Sequence, residues 1–152
     1  MNNNNKKRIL IVDDEERFTR ILRLNLDCTG KYTVRTENCA PNAWGTVREF
    51  RPDLILLDVM MPGLDGGEVA AQLQRHPATK DIPVVFLTAA VTNEELTSHQ
   101  GKIGGAPYVA KPVELNALID CIEQNLARQP RAGTPNWRST PARGVATLYS
   151  TC

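Results

Sequence analysis

Four short apolar runs in this chain end in residues able to do ionic chemistry. Ile9-Leu10-Ile11-Val12 leads into Asp13 and Asp14, Leu54-Ile55-Leu56-Leu57 into Asp58, Pro83-Val84-Val85-Phe86-Leu87 into Thr88, and Tyr108-Val109-Ala110 into Lys111. Three carboxylates gathered at one place repel, so one must take up a proton or a cation must neutralise them. Hard oxygen donors of this kind suit magnesium, with manganese as the substitute. A divalent cation and an ammonium together neutralise the oxygens of a transferring phosphoryl group, and a carboxylate can attack phosphorus to give an acyl phosphate. A threonine hydroxyl can donate to a phosphoryl oxygen. Each residue also has a plainer role when taken alone. Asp13 or Asp14 could cap a helix, Thr88 is an ordinary strand former, Tyr108 an edge aromatic and Lys111 a solvated loop lysine. Asp58 is different, because a carboxylate placed straight after four apolar residues is costly unless it has a task.

The elements that must position these residues are readable from the pattern. The runs are apolar on both faces, which suits strands covered on both sides. A further run, Tyr32-Thr33-Val34-Arg35, leads to Glu37, which is expected on an outer strand and away from the others. Between the runs lie amphipathic stretches: Phe18, Ile21, Leu22 and Leu26; Ala40, Ala43, Trp44, Val47 and Phe50; Val69, Ala70 and Leu73; and Leu115, Leu118, Ile119, Ile122 and Leu126. A weaker stretch, Thr92 to His99, precedes Gly101, Gly104 and Gly105 and is expected to be the most mobile part. Gly30 can end the first helix in a left-handed conformation, and Pro52 and Pro77 follow the second and third. Asp65-Gly66 reads as a turn with a helix start.

Five alternations of strand and helix predict an α/β fold, a parallel sheet with helices on both faces and right-handed crossovers. In such sheets ligands bind beyond the carboxyl ends of the strands. That is where the three aspartates, Thr88 and Lys111 fall. The organisation predicted is a flexible N-terminus over residues 1–6, one domain over 7–128, and a low-complexity basic tail or severed linker over 129–152.

Composition removes several classes. A formal net charge of +1 over 152 residues gives no reason to expect nucleic acid or an anionic membrane as the main partner. No apolar run reaches the roughly 18 residues of a membrane span, and the start lacks a signal-peptide core, so a cytoplasmic location is expected. Cys28, Cys39, Cys121 and Cys152 form no C-x-x-C pair and are expected as reduced thiols. His76 and His99 lack ligand-like neighbours and read as solvated helix residues.

The segments Ile11-Val12-Asp13-Asp14-Glu15, Leu56-Leu57-Asp58-Val59-Met60-Met61-Pro62-Gly63-Leu64-Asp65-Gly66, Leu87-Thr88-Ala89 and Lys111-Pro112 resemble the motif set of response-regulator receiver domains. The resemblance covers about residues 7 to 128. It implies a flavodoxin-like, doubly wound sheet of five parallel strands in the order 2-1-3-4-5, flanked by five helices. It also implies roles. Asp58 is the phosphoacceptor. Asp14 ligates magnesium directly, Asp13 acts chiefly through a metal-bound water, and Asp58 and the backbone carbonyl of Met60 complete the protein's ligands. Thr88 and Lys111 contact the phosphoryl group, Tyr108 turns inward on activation, and the bond before Pro112 is cis. The partners implied are a histidine kinase or phosphotransfer protein upstream and a protein target downstream, with the chain a monomer or weak dimer. The readout surface implied lies around the fourth helix, fifth strand and fifth helix.

The reading is thus a two-component phosphorelay switch rather than an enzyme, or such a receiver cut from a larger regulator whose output domain is missing. A phosphatase of the haloacid-dehalogenase type would need an aspartate two residues after the nucleophile, where Met60 stands. A flavin-binding module would need a phosphate-cradling loop after the first strand. Asp13-Asp14-Glu15-Glu16 would repel phosphate there.

Overall fold

The computed structural model describes residues 6–89, 102–103 and 106–128. The predicted Thr92–His99 helix, Ala90, the glycines Gly101, Gly104 and Gly105, the first five residues and the segment from 129 onward lie outside the described residues.

The strands are β1 (Lys7–Val12), β2 (Tyr32–Glu37), β3 (Leu54–Asp58), β4 (Val84–Thr88), β5 (Lys102–Ile103) and β6 (Ala106–Ala110). The helices are α1 (Glu16–Cys28), α2 (Ala43–Phe50), α3 (Gly66–Arg75) and α4 (Leu115–Ala127), with a 3₁₀ turn at Ala40–Asn42 ahead of α2. The sheet runs β2-β1-β3-β4-β6-β5. Its five longer strands are parallel, and their order is the expected 2-1-3-4-5. The two-residue β5 is an addition that sequence reading did not foresee, an antiparallel edge on β6. It is too short to carry a hydrophobic pattern.

Strand residues point alternately to two separate cores. Leu10, Val12, Ile55, Leu57 and Phe86 face α2 and α3, where Ala43, Val47, Val69 and Leu73 meet them. Ile9, Ile11, Leu54, Leu56, Val85 and Leu87 face α1 and α4 through Leu22, Leu26, Leu118 and Ile122. This explains the unbroken apolar runs, since neither face of the central strands meets water. Each such side chain contributes about 1.5–3 kcal/mol of burial. Tyr32 closes the α4 side from the outer strand by donating its hydroxyl to Glu123.

The helix boundaries follow local chemistry. Gly30 takes φ 73° after α1, and its N–H bonds the Asp27 carbonyl. Asp65 caps α3, its Oδ1 accepting from the Gly67 N–H at 2.7 Å. Glu114 caps α4 in the same way through the N–H groups of Asn116 and Ala117. Neither Asp13 nor Asp14 occupies the cap position of α1. That position falls to Glu15, which makes no side-chain cap bond. Of the cysteines, Cys28 and Cys121 are free thiols, whereas Cys39 is disulfide-bonded, against the expectation of reduced thiols throughout. Among the described residues no helix is long and apolar enough to cross a membrane.

Candidate functional site at the carboxyl edge of the sheet

Strand register decides which residues meet. Val12 is level with Leu57, Asp58 with Leu87, and Thr88 with Ala110. Asp13, Asp58, Thr88 and Lys111 therefore leave the sheet along one edge. The ladder continues just past β1, where the Asp13 N–H bonds the Glu37 carbonyl at 3.1 Å. At the far side the Lys111 N–H bonds the Thr88 carbonyl at 2.8 Å, fixing the turn after β6 to the end of β4. The peptide bond between Lys111 and Pro112 is cis.

The carboxylates of Asp13, Asp14 and Asp58 converge, with one oxygen of each within 4.8 Å of the others. Asp13 and Asp58 are buried, at 0% and 4% exposure, while Asp14 is exposed. Lys111 reaches into the cluster. Its Nζ donates to Asp13 Oδ2 at 2.6 Å, stands 3.6 Å from Asp58 Oδ2, and lies 4.4 Å from the centre of the Phe18 ring. The Asp58 carboxylate also accepts the Met60 N–H at 3.2 Å.

One ammonium does not balance three carboxylates. Burial, and then the charge of Asp13, push the Asp58 carboxyl up to about 6, against the opposing pull of the Met60 N–H and Lys111. Burial alone would lower the Lys111 ammonium. The hydrogen bond and charge of Asp13, with Asp58 and Glu15 behind it, outweigh burial and hold it above its ordinary value. The edge is thus a partly buried acidic pocket with a lysine bound tightly to one wall, a donor set of hard oxygens suited to a small divalent cation.

The remaining predicted residues sit close by in different ways. The Thr88 side chain is buried at the end of β4. Tyr108 is half-buried, level with Phe86 and packed on the α2–α3 core. The Met60 side chain is 65% exposed, so only its backbone enters the cluster. Glu37 stays out of the acidic cluster on the outer strand β2, where its carboxylate accepts the Cys39 N–H at 2.9 Å and the Thr46 hydroxyl at 2.6 Å. Sequence reading missed Asn38, whose amide donates to the Asp13 carbonyl at 2.7 Å. Its place one residue beyond the end of β2, next to β1, is the only signal the sequence offered.

The sequence matches the family profile of the response regulator receiver domain over residues 9–123. The chain belongs to that family. As a receiver domain it is a signalling switch of two-component systems. It is 37% identical over 115 residues to the phosphate regulon transcriptional regulatory protein PhoB of Pseudomonas aeruginosa, covering 75% of this chain and 49% of that protein. It is 35% identical over 108 residues to the polar-differentiation response regulator DivK of Brucella anthropi, covering 70% of this chain and 85% of DivK. The chain thus spans about half the length of regulators such as PhoB. Among solved structures, a CheY-like response regulator receiver domain protein from Methanospirillum hungatei superposes with a TM-score of 0.70 at 25% identity, over 84% of this chain and 99% of that one.

Proposed function

We propose that this receiver takes a phosphoryl group onto Asp58 from a phosphohistidine on a histidine kinase or phosphotransfer protein. The observation that carries this reading is the convergence of the Asp13, Asp14 and Asp58 carboxylates around the Lys111 ammonium. A carboxylate oxygen of Asp58 attacks phosphorus, the O–P bond forms, and the donor's N–P bond breaks. Asp13, Asp14, Asp58 and the Met60 backbone carbonyl are the groups that would hold magnesium or manganese. The cation would supply positive charge to the phosphoryl oxygens. Lys111 and the Thr88 hydroxyl contact those oxygens from the other side. Thr88 and Tyr108 then report the change toward β6 and α4. The domain runs over residues 7–128, with the Pro-, Gly- and Arg-rich segment 129–152 as tail or linker. It works in the cytoplasm on a protein target, as a monomer or weak dimer, and turns over nothing but its own phosphoryl group. Incubation with acetyl phosphate and magnesium, read by intact mass, tests the central step. No adduct would remove it.

The elevated Asp58 carboxyl gives a pH dependence. A proton on Asp58 competes with the cation, so magnesium affinity should hold at neutral pH and fall as pH drops through about 6. Calorimetric titrations across that range check this, and flat affinity would contradict it.

Lys111→Met separates binding from transfer. The ammonium sits 2.6 Å from Asp13 and repels a divalent cation placed nearby. Its removal should leave metal affinity equal or tighter, while transfer from acetyl phosphate slows by about a hundredfold, as when one preorganised positive donor is lost. A variant that transfers at the wild-type rate would show that Lys111 does not touch the phosphoryl group.

Met60 bears on how long the signal lasts. It carries no group able to activate or hold a water beside Asp58, and its side chain is exposed. Self-dephosphorylation is therefore expected to be slow. Phosphate release in magnesium should run over many minutes, and a lifetime of seconds would sink the idea.

A further inference from the structure

Asp13 is fully enclosed, and each of its polar groups has a partner. Its N–H goes to the Glu37 carbonyl, Oδ1 accepts the Glu15 N–H at 2.9 Å, and Oδ2 accepts Lys111. The remaining group, the backbone carbonyl, accepts the side-chain amide of Asn38 at 2.7 Å. We propose that Asn38 is a positioning residue for the cation pocket, holding the Asp13–Asp14 peptide so that both carboxylates face the site. This rests on the assignment of Asp13 and Asp14 to the cation.

The orientation of the amide follows from its partners. A carbonyl only accepts. The second partner, Thr19 Oγ1 at 2.9 Å, donates its own proton to the Glu16 carbonyl at 3.1 Å. Both contacts therefore need the amide nitrogen, which has two protons to give. Asn38 thereby ties three segments together: β2, the acidic turn after β1, and the first turn of α1.

The effect falls on the carboxylates through the backbone. The Asp13 carbonyl belongs to the peptide plane that joins Asp13 to Asp14. Fixing that plane fixes ψ of Asp13 and φ of Asp14, the two torsions that aim the exposed Asp14 side chain relative to the buried Asp13. With Glu37 holding one side of Asp13 and Asn38 the other, β2 carries the acidic turn although it contributes no carboxylate to the cluster. Without Asn38 the carbonyl loses the one direct donor it has among the described residues, in an enclosed place, and the turn rotates to find water.

Four proteins test this: wild type, Asn38→Ala, the near-isosteric Asn38→Leu, and Thr19→Val. The last keeps the bond to Asp13 and removes the tie to α1, together with the Thr19–Glu16 bond inside that helix. Manganese binding to the metal-free proteins is read by electron paramagnetic resonance, alongside melting temperature without metal. The Asn38 variants should bind manganese about tenfold more weakly, as expected for groups that orient metal ligands. Thr19→Val should lower the melting temperature yet keep near wild-type affinity. In acetyl phosphate assays the Asn38 variants should need more metal for half-maximal rate and reach the wild-type maximum once saturated. Unchanged manganese affinity in folded Asn38→Ala and Asn38→Leu would overturn the proposal, as would equal losses in Thr19→Val. If wild type itself neither binds manganese nor gains a phosphoryl group, the assignment of the site falls instead.

Discussion

Asp58→Asn should abolish the phosphoryl adduct and, at neutral pH without metal, make the protein more stable. The first effect follows from chemistry. An amide oxygen is a poor nucleophile toward phosphorus, and among the described residues no other carboxylate stands where Asp58 stands, buried at the end of β3 with Lys111 at 3.6 Å. Intact mass after acetyl phosphate treatment should show the adduct in wild type and none in the variant. The second effect follows from linkage. The folded protein holds the Asp58 proton up to about pH 6, above the ordinary carboxylate value of 3.8. Between those values the native state binds more protons than the unfolded chain, so its stability falls as pH rises and the full cost is present above about 6. Asparagine removes that cost. The gain should be about 1–3 kcal/mol at neutral pH, several degrees in melting temperature, and should vanish below about pH 4. Magnesium should stabilise wild type through binding to the native state and do less for the variant, so the curves converge as metal is added. Equal melting temperatures near pH 7.5 without metal would show that Asp58 is not held against its ionisation.

The parts of this site legible in the sequence are those with a one-dimensional trace. Asp13, Asp14, Asp58, Thr88 and Lys111 each follow an apolar run, and a parallel sheet puts all run ends on one edge. The alternation of Leu10 and Ile11, or Leu56 and Leu57, between two cores left its trace as runs without polar breaks. Glu37 was rightly kept apart by its strand position, though nothing along the chain showed that Cys39 and Thr46 would occupy its oxygens.

What stayed hidden depends on distance in space rather than order along the chain. Asn38 meets Asp13 25 residues away, and Tyr32 meets Glu123 91 residues away. No local propensity encodes either pair. The capping roles are a case of near neighbours competing. Asp13 and Asp14 look like cap residues, but Asp13 is drawn into the interior by Lys111 and spends Oδ1 on the Glu15 N–H, one residue short of the helix. The acidic turn therefore belongs to the site first, and α1 starts without a side-chain cap.

Gly66→Ala should be among the most damaging single-methyl additions in the protein. Asp65-Gly66 has the sequence of a turn, and the turn is there, with Asp65 capping α3. The need for glycine has another cause. A Cβ at position 66 would stand 2.1 Å from the Asp58 carbonyl oxygen, 2.9 Å from Val59 Cα and 3.0 Å from the Asp58 carbonyl carbon. These are backbone atoms, which cannot swing aside as a side chain would. The Gly66 N–H also bonds the Val59 carbonyl at 3.0 Å, drawing α3 onto the loop that carries Asp58. Alanine must push the helix off or twist the Asp58 peptide, at a cost of about 3 kcal/mol or more. Because the displaced atoms are those of Asp58 itself, the surviving folded fraction should also bind manganese weakly and accept phosphate slowly. Gly45→Ala is the control. Gly45 sits on the exposed face of α2, and no atom of the described residues lies within 4 Å of its missing Cβ. Alanine there should stabilise by about 0.5–1 kcal/mol through helix propensity and leave metal binding alone. Denaturant melts of the two variants, with manganese titrations, check both. A Gly66→Ala protein as stable and as tightly metal-binding as wild type would mean that α3 does not press on the Asp58 backbone.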